Sequence, residues 1–245
     1  MNYNLNSTDS FLEECLKSPE GIELDKTLAQ TIKTEHEILE LISTSIKHCK
    51  KNIAEIDKLL NIVEANDRLK RHLSDGFNLQ KKVWEDALLI WNLCGFIQMI
   101  SLEIKSAQKS LYFETDEWHR RNIIKQAYVM MYESSEDLLQ QTGKHFLDVM
   151  SLSCSEEQIV QFKAIRKKWS LFRKNHEDEF QDVRNKVGAH REHDVMMQIN
   201  TIESLNWSQT IELLLEYEKL TIEIAPYFSA LIPAVVNGVG RFYNQ

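Results

Sequence analysis

The sequence predicts an all-helical protein, in which an α-helical bundle follows a long helix or helical hairpin. Apolar residues recur at intervals of three and four rather than two, which is the period of a helix buried along one face. The 245 residues include only 7 Gly and 3 Pro, too few for the turns of a many-stranded fold. A chain of this length is ample for a packed core.

Composition sets further limits on the class of protein. The net charge of −8 argues against broad, nonspecific coating of nucleic acid, although a local basic site remains compatible with it. The cysteines Cys15, Cys49, Cys94 and Cys154 are scattered singly, without disulfide or metal-ligand spacing. No apolar stretch follows positive charge at the N-terminus, so no signal peptide is expected. We therefore expect a cytoplasmic protein.

The N-terminal part contains a long helical pattern. Residues 1–24 are expected to form a polar leader, with Pro19-Glu20-Gly21 as a break. Residues 25–74 are expected to form a long helix or a hairpin that ends in a turn at Ser74-Asp75-Gly76. Residues 75–245 then form the bundle, although no linker-like composition separates the two parts.

An apolar seam runs along this long helical pattern. Its members alternate in steps of three and four, as in a coiled coil or a long helical hairpin. The seam must be buried against the following helix or against a second copy of the chain. Its members are Leu39, Ile42, Ile46, Cys49, Ile53, Ile56, Leu60 and Val63.

The most apolar segment runs from Trp84 to Ile104. Its length raises the question of a membrane span, but polar residues such as Asn92 and Glu103 interrupt it and no basic flank anchors either end. We expect a central buried helix without membrane contact, with membrane contact as the less favoured alternative. Gly95 is expected to let a neighbouring helix approach closely.

Capping signals predict the next two helices. Thr115-Asp116-Glu117 begins a helix at about 116–142, and Gly143 follows as its stop. Ser155 and Gln158 have the spacing of a capping box, which begins a second helix that ends near Asn175.

The remaining boundaries depend on single residues. Asn175 is a candidate cap for a helix with an acidic first turn, which Gly188 ends or kinks. A loop is expected through His193 to Asn206, and a further helix from Ser208 to about Ala225. Two prolines, Pro226 and Pro233, are expected to break or bend the chain after it.

A cationic run occupies the second of these helices. Lys163 to Lys174 carries six cations and no acid, which suits contact with phosphates. Trp169 is a candidate stacking surface for a base. The alternative is a solvated cationic face, with Ile165, Trp169 and Phe172 packed inward.

The segment from Asp182 to Arg191 carries the most informative motif. It places Arg184, Asn185 and His190 close together in the sequence. A guanidinium can hold a phosphate through two parallel hydrogen bonds, and a neutral imidazole can move a proton near pH 7. These groups suffice for metal-independent cleavage of an RNA phosphodiester.

An Arg followed after four to six residues by a His, with a polar residue directly after the Arg, resembles the signature of the HEPN superfamily. Arg184, Asn185 and His190 fit this pattern, and the resemblance extends over residues 115–232. It implies a small all-helical domain of the kind found in toxins, abortive-infection proteins and antiviral RNA-cutting systems. It also implies a homodimer in which two motifs face each other, without any cofactor.

The resemblance assigns roles to particular residues. His190 would be the general acid or base, Arg184 would stabilise charge on the transferring phosphate, and Asn185 would orient the imidazole or the phosphate. Such toxins are commonly held inactive by an antitoxin, often a nucleotidyltransferase-like protein. Further candidates for binding the RNA strand are Arg191, Lys186, Arg166, Lys167, Arg120 and Arg121.

Helix geometry places a condition on this motif. Six positions of an ideal helix put His190 about 120° around from Arg184, so the two side chains would not share a face. A bend at Gly188 would swing His190 back toward Arg184, because glycine tolerates left-handed or bent backbone.

Two other interpretations remain open. A metal site would use His176, His190 and His193 with Glu192 or Asp194, but the spacing matches no zinc-binding helix motif. A non-catalytic helical module would dock a partner through the apolar seam and use the motif only to bind nucleotide or to stabilise a dimer.

Overall fold

The computed structural model describes residues 14–187 and 194–243, and for residues 235–243 the backbone alone. Within those residues the chain forms helices and no strand, which confirms the all-helical prediction. The helices are α1 (Pro19–Glu64), α2 (Asp67–Phe113), α3 (Glu117–Gln141), α4 (Lys144–Met150), α5 (Glu156–Asn175), α6 (Glu177–Val187), α7 (Val195–Ser204), α8 (Trp207–Ile222) and α9 (Ala225–Tyr243).

Polar caps start the two longest helices. The Ser18 hydroxyl accepts a hydrogen bond from the Gly21 amide at 3.3 Å, and Pro19 is the first residue of α1. Proline suits this position, because the first helical residue needs no amide donor. The predicted break at Pro19-Glu20-Gly21 therefore lies slightly earlier, at Lys17 and Ser18, between a helical turn at residues 14–16 and α1. Asn66 caps α2 in the same way, by accepting from the amides of Arg68 and Leu69.

The predicted turn at Ser74-Asp75-Gly76 is also wrong, because α2 continues through it. The chain reverses ten residues earlier, at the two residues between α1 and α2. A Cβ added to Gly76 would meet no atom within 4 Å, so nothing in the described structure requires glycine there.

The apolar seam of α1 is buried against α2. Cys49, Ile56 and Leu60 of the seam form a buried cluster with Trp84 and Ala87. The partner of the seam is therefore the following helix, which was one of the two predicted alternatives. Partly buried side chains that complete the cluster are Ile53, Phe77, Leu88 and Trp91.

Gly95 lies where α2 approaches α1 closely, as predicted. A Cβ built on Gly95 would stand 3.1 Å from Cγ2 of Ile42 and 3.8 Å from Cδ1 of Ile46. A methyl group at this position would push against the seam, so glycine keeps the two helices in contact.

The apolar part of α2 is amphipathic. Ile90, Leu93 and Ile100 are almost fully buried, whereas Asn92 and Glu103 are exposed. By length and composition alone α2 could cross a membrane, since one window within it has a mean hydropathy of 1.6 and one third of that window is buried. The core helix of a soluble protein can have the same properties.

The chain divides into two compact units. The first consists of the described residues of Met1–His36, Met99–Gln140 and Ile165–Glu223. The second consists of those of Glu37–Gln98, Gln141–Ala164 and Ile224–Gln245. The α1–α2 seam cluster belongs to the second unit, and Arg184 belongs to the first.

Aromatic side chains fill the core of the first unit. The Phe172 ring stacks on Tyr217, with centroids 5.2 Å apart, and packs against Phe180 at 5.9 Å. Tyr128 meets Phe180 edge to face at 5.6 Å. These rings come from α3, α5, α6 and α8, so they hold the helices that carry the candidate site.

Two predicted helix starts are confirmed by their caps. The Asp116 carboxylate accepts from the His119 amide at 2.6 Å at the start of α3. Ser155 and Gln158 form the reciprocal capping box at α5, with hydrogen bonds of 2.8 and 3.2 Å. Asn175, which we predicted as a cap, is instead the last residue of α5.

Several other predictions for the C-terminal half are wrong. The short helix α4 has no predicted counterpart, and α7 occupies part of the expected loop between His193 and Asn206. Asp194 caps α7 by accepting from the amides of its first turn. Of the predicted break or bend at Pro226 and Pro233, the break is wrong, because both residues lie inside α9 and the helix continues past them.

Candidate functional site

Helix α6 positions Arg184 beside a buried face. Phe180, Val183 and Val187 recur at helical spacing and are all buried. Arg184 follows Val183 directly, so its backbone lies next to the core. The acidic first turn predicted for α6 is present, with Glu177, Asp178 and Glu179.

The Arg184 side chain reaches across to α3. Its Nε donates to Oε1 of Glu133 at 3.3 Å, and its guanidinium carbon lies 5.5 Å from the centre of the Tyr132 ring. The side chain keeps 29% of its surface exposed. Arg184 is therefore fixed by a ring and a carboxylate, while part of its guanidinium remains open to solvent.

A second arginine approaches the same ring from α5. The Arg173 guanidinium carbon lies 5.3 Å from the Tyr132 centroid, and one terminal nitrogen donates to Oε2 of Glu136 at 3.2 Å. Its side chain is 24% exposed. We call Tyr132, Glu133, Glu136, Arg173 and Arg184 the arginine-pair cluster. All five belong to the first unit.

The arginine-pair cluster is electrically neutral, and its two ion pairs are long. Two guanidinium groups face two carboxylates that lie one turn apart on α3, so the cluster has no formal net charge. Each pair makes a single contact, longer than the 2.7–2.9 Å typical of charge-assisted bonds. Both carboxylates are more than a third exposed, where ion pairs contribute little to stability.

Two residues assigned to the site from the sequence, His190 and Arg191, lie outside the described residues, as does Gly188. Asn185 is exposed on α6. Lys186 forms an ion pair with Asp182, one turn earlier in the same helix. Of the predicted motif, the structure therefore describes Arg184, Asn185 and Lys186.

The segment of α5 that carries the cationic run has one buried face and one face with exposed cations. Ile165, Trp169 and Phe172 are buried, which confirms the inward-packed alternative. The Trp169 indole donates to the carbonyl of Leu220 at 3.0 Å and is fully enclosed, so it offers no stacking surface. One terminal nitrogen of Arg166 donates to a backbone carbonyl at 3.1 Å, whereas Lys167 is exposed.

Arg120 and Arg121 hold neighbouring helices together. Arg120 is buried, and its guanidinium carbon lies 4.8 Å from the Trp207 ring centre. One terminal nitrogen of Arg121 donates to the carbonyls of Ile202 and Glu203, at the C-terminal end of α7. A cation at that helix end is electrostatically favourable. Both residues therefore have packing roles within the fold.

A buried phenol marks another polar contact of the first unit. Tyr128 is fully buried, and its hydroxyl donates to Oε1 of Glu179 at 2.7 Å. Burial, reinforced by the adjacent Glu179 carboxylate, raises the pKa of Tyr128. This contact joins α3 to α6 one turn before Arg184, so it helps to fix the helix that presents the arginine.

The metal alternative gains no support from the described residues. Among them, no group of three His, Cys, Asp or Glu side chains is placed to hold a metal ion. His176 packs between Phe172 and Phe180, with ring centroids 5.0 and 5.6 Å away. His190, Glu192 and His193 lie outside the described residues.

Four members of the arginine-pair cluster are not predicted as site residues from the sequence. Arg173 stands out there only as part of the cationic run, and no motif marks Tyr132, Glu133 or Glu136. A weak signal is the spacing of Glu133 and Glu136, which places both on one face of α3. In an acidic chain this spacing is common, and only tertiary packing shows which carboxylates face an arginine.

Comparison of this chain with known protein families, with curated proteins and with solved structures finds no match. The fold and the site geometry are therefore the basis for assigning a function.

Proposed function

We propose that this protein is a metal-independent endoribonuclease of the HEPN type, which cleaves RNA by attack of a ribose 2′-OH on the adjacent phosphorus. The observation that carries the proposal is the placement of Arg184. Its guanidinium is partly exposed, lies at the end of a helix and is held by Tyr132 and Glu133. In the sequence, His190 follows the last residue of α6 by three positions.

The reaction needs two proton transfers and no external nucleophile. The 2′-oxygen forms a bond to phosphorus and gives its proton to a base, while the bond from phosphorus to the 5′-oxygen breaks and that oxygen takes a proton. The products are a 2′,3′-cyclic phosphate and a free 5′-hydroxyl. In this proposal His190 transfers a proton, a role that contributes about 10²- to 10⁴-fold.

Arg184 would stabilise the negative charge that builds up on the phosphate oxygens. Loss of one such donor costs about 10²- to 10³-fold in rate. To bind a phosphate, the guanidinium must exchange its contact with Glu133 for a phosphate oxygen. The single 3.3 Å contact to an exposed carboxylate makes this exchange easy, because a phosphate can accept two shorter hydrogen bonds.

The decisive experiment measures cleavage of a mixed-sequence RNA in EDTA by the wild type, Arg184→Ala and His190→Ala. We expect each variant to cleave at least about 100-fold more slowly than the wild type. Matched controls are Arg68→Ala and His72→Ala, since both residues are exposed on α2. An RNA with 2′-O-methyl groups must resist cleavage, because its attacking hydroxyl is blocked.

Persistent cleavage by both Arg184→Ala and His190→Ala would remove the proposed site. Loss of wild-type cleavage on chelation alone would favour the metal alternative instead. Cleavage of the 2′-O-methyl RNA would contradict the transesterification mechanism.

The resemblance to HEPN proteins also frames the biological proposal. It points to a homodimer that acts in a toxin, stress or phage-defence system, with an antitoxin or nucleotidyltransferase-like protein as its inhibitor. Sedimentation of the purified chain tests the dimer. Growth arrest on expression, relieved by Arg184→Ala, tests the toxic activity.

A second candidate is a non-catalytic helical module that binds RNA or nucleotide without cutting it. One observation favours it, since Arg184 already pairs with a carboxylate of its own chain. This candidate predicts RNA binding that depends on Arg184, with no cleavage by the wild type. The EDTA assay and a binding measurement on the same samples distinguish the two.

A further inference from the structure

We infer that Arg173 is a second phosphate-binding residue, which acts with Arg184 to hold the backbone of an RNA strand. This inference rests on the proposed function for the nature of the ligand. It extends the site to a residue of α5 outside the Arg184–His190 motif. It also assigns one role to both carboxylates of α3, as counter-ions that compete with the phosphate.

The Tyr132 ring provides the geometric argument. Both guanidinium carbons lie within 5.5 Å of its centre, although Arg173 comes from α5 and Arg184 from α6. Tyr132 is itself buried, so the ring is a rigid platform for both cations. In the free chain a carboxylate neutralises each guanidinium through one long contact, and a phosphate oxygen can replace that carboxylate with shorter hydrogen bonds.

The hydrogen bonds of Arg173 leave room for such an anion. A guanidinium has five N–H donors, and within the described residues the recorded hydrogen bond of Arg173 goes to Glu136 at 3.2 Å. Its Nε is buried without a hydrogen-bond partner there. The terminal nitrogens share a side chain that is 24% exposed, so they are the groups that can meet a phosphate from solvent.

Glu133 and Glu136 act as internal counter-ions in this arrangement. They neutralise the two arginines in the free protein, and they repel an incoming phosphate. Removing one of these charges should therefore strengthen binding of RNA. Loss of a purely structural ion pair would give only the small gain that follows from removing one distant negative charge, so a larger gain separates the inference from a structural role.

The test uses the full chain and a 2′-O-methyl oligonucleotide, which cannot be cleaved by the proposed mechanism. Affinity is measured across a range of salt concentrations for the wild type, Arg173→Ala, Arg173→Lys and Glu136→Gln. Arg68→Ala serves as the charge-matched control, because Arg68 is an exposed arginine on α2. Thermal melting of each variant checks that it remains folded.

We expect Arg173→Ala to weaken binding about tenfold, the effect of losing one charge-assisted contact. The slope of log affinity against log salt should fall by about 0.7, which corresponds to one phosphate contact on a single strand. Arg173→Lys should keep the salt slope and lose part of the affinity, because a lysine keeps the charge without the planar fork. Glu136→Gln should tighten binding.

The inference is overturned if Arg173→Ala matches Arg68→Ala in both affinity and salt slope, or if Glu136→Gln binds no more tightly than the wild type. Binding of inorganic phosphate that depends on Arg173, without binding of the oligonucleotide, would overturn the assignment to RNA. Since Glu136→Gln is expected to gain affinity, misfolding of Arg173→Ala cannot produce the whole expected pattern.

The two proposals fail in different ways. If Arg173→Ala weakens oligonucleotide binding but no variant changes RNA cleavage, the nuclease proposal fails and the phosphate site stands. If Arg184→Ala and His190→Ala abolish cleavage while Arg173→Ala binds and cleaves as the wild type does, the nuclease proposal stands and this inference fails.

Discussion

The α1–α2 seam of the second unit and the aromatic core of the first unit differ in side-chain composition. The buried residues of the seam cluster are aliphatic apart from Trp84 and the Cys49 thiol, and the partly buried rings of Phe77 and Trp91 pack against them. The aromatic core buries tyrosines whose hydroxyls are hydrogen-bonded, such as Tyr217 to Ser134 at 2.8 Å and Tyr128 to Glu179 at 2.7 Å. The seam cluster is formed mainly by apolar packing, whereas the aromatic core combines packing with hydrogen-bonded polar groups.

This difference indicates why the candidate site lies in the first unit. A core that already contains ordered polar contacts can hold charged side chains such as Arg173 and Arg184 in defined positions. In the seam cluster the side-chain hydrogen-bonding groups are limited to the Trp84 and Trp91 indoles and the Cys49 thiol.

Trp169→Ala should reduce the free energy of unfolding by about 4 kcal/mol, because it removes a fully buried ring and its hydrogen bond to the Leu220 carbonyl. The matched control is Trp118→Ala, since Trp118 is 53% exposed and should change stability by less than about 0.5 kcal/mol. Urea denaturation provides the measurement. Equal effects of the two substitutions would contradict the described core.

Ile56→Ala should reduce the free energy of unfolding by about 3 kcal/mol, since it leaves a cavity in the seam without exposing a polar group. Ile62→Ala on the same helix is the control, because Ile62 is 63% exposed. If Ile56→Ala reduced the free energy of unfolding by more than Trp169→Ala does, packing in the seam would contribute more to stability than the aromatic core. That result would contradict the expected order of the two cores.

Alkaline pH should destabilise the first unit through its buried phenols. Burial raises the pKa of both Tyr128 and Tyr217 in the folded chain, whereas an unfolded tyrosine ionises near pH 10. The stability from this difference is therefore complete below about pH 10, and it is lost as pH rises toward the folded pKa values. Each phenol can contribute a slope of up to about 1.4 kcal/mol per pH unit.

The measurement is urea unfolding between pH 9 and pH 11, with Tyr217→Phe as the test variant. Tyr217→Phe should cost about 1 kcal/mol at neutral pH through loss of its hydrogen bond to Ser134. It should also have the shallower pH dependence. If Tyr217→Phe left the slope of unfolding free energy against pH unchanged, burial would not raise the pKa of the Tyr217 phenol as described.

The smallest predicted effect separates two glycines of α2. Gly76→Ala should stabilise the protein by about 0.5–1 kcal/mol, because alanine favours the helix and its methyl group meets nothing within 4 Å. Gly95→Ala should stabilise the protein less than Gly76→Ala or destabilise it, because the added methyl group would stand 3.1 Å from Cγ2 of Ile42. Equal stabilisation by the two substitutions would contradict the close approach of α1 and α2.

Local signals in the sequence were sufficient where the physical cause is local. The capping box of Ser155 and Gln158 and the inward face of Ile165, Trp169 and Phe172 are fixed by spacing along one helix. The seam was predictable for the same reason, because its periodicity extends over many turns of α1. Its partner was not predictable, since periodicity indicates a buried face and not what covers it.

Residues that favour turns gave wrong predictions where the same residues can also be accommodated within a helix. Ser74-Asp75-Gly76 favours a turn, yet the helical pattern on both sides continues through it. The reversal lies instead at Ala65 and Asn66, where the Asn66 side chain caps the next helix. Pro226 fits the first turn of α9, where the amide it lacks is not required.

The candidate site was only partly predictable. Arg184 and Asn185 were identified from a short motif, and the structure describes them on one helix. The contacts of Arg184 with Tyr132 and Glu133 join residues about fifty positions apart, and the approach of Arg173 depends on how α5 packs against α3. Side-chain direction across helices decides such contacts, and sequence spacing alone carries no information on it.

The four free cysteines make the chain suitable for thiol chemistry as a structural reporter. Cys15 is exposed, whereas burial raises the pKa of the other three thiols, in the case of Cys94 to about 11. Those three residues, Cys49, Cys94 and Cys154, all belong to the second unit. A maleimide dye added at neutral pH should therefore label Cys15 first, and labelling of the buried Cys49 would report the rate at which the second unit opens.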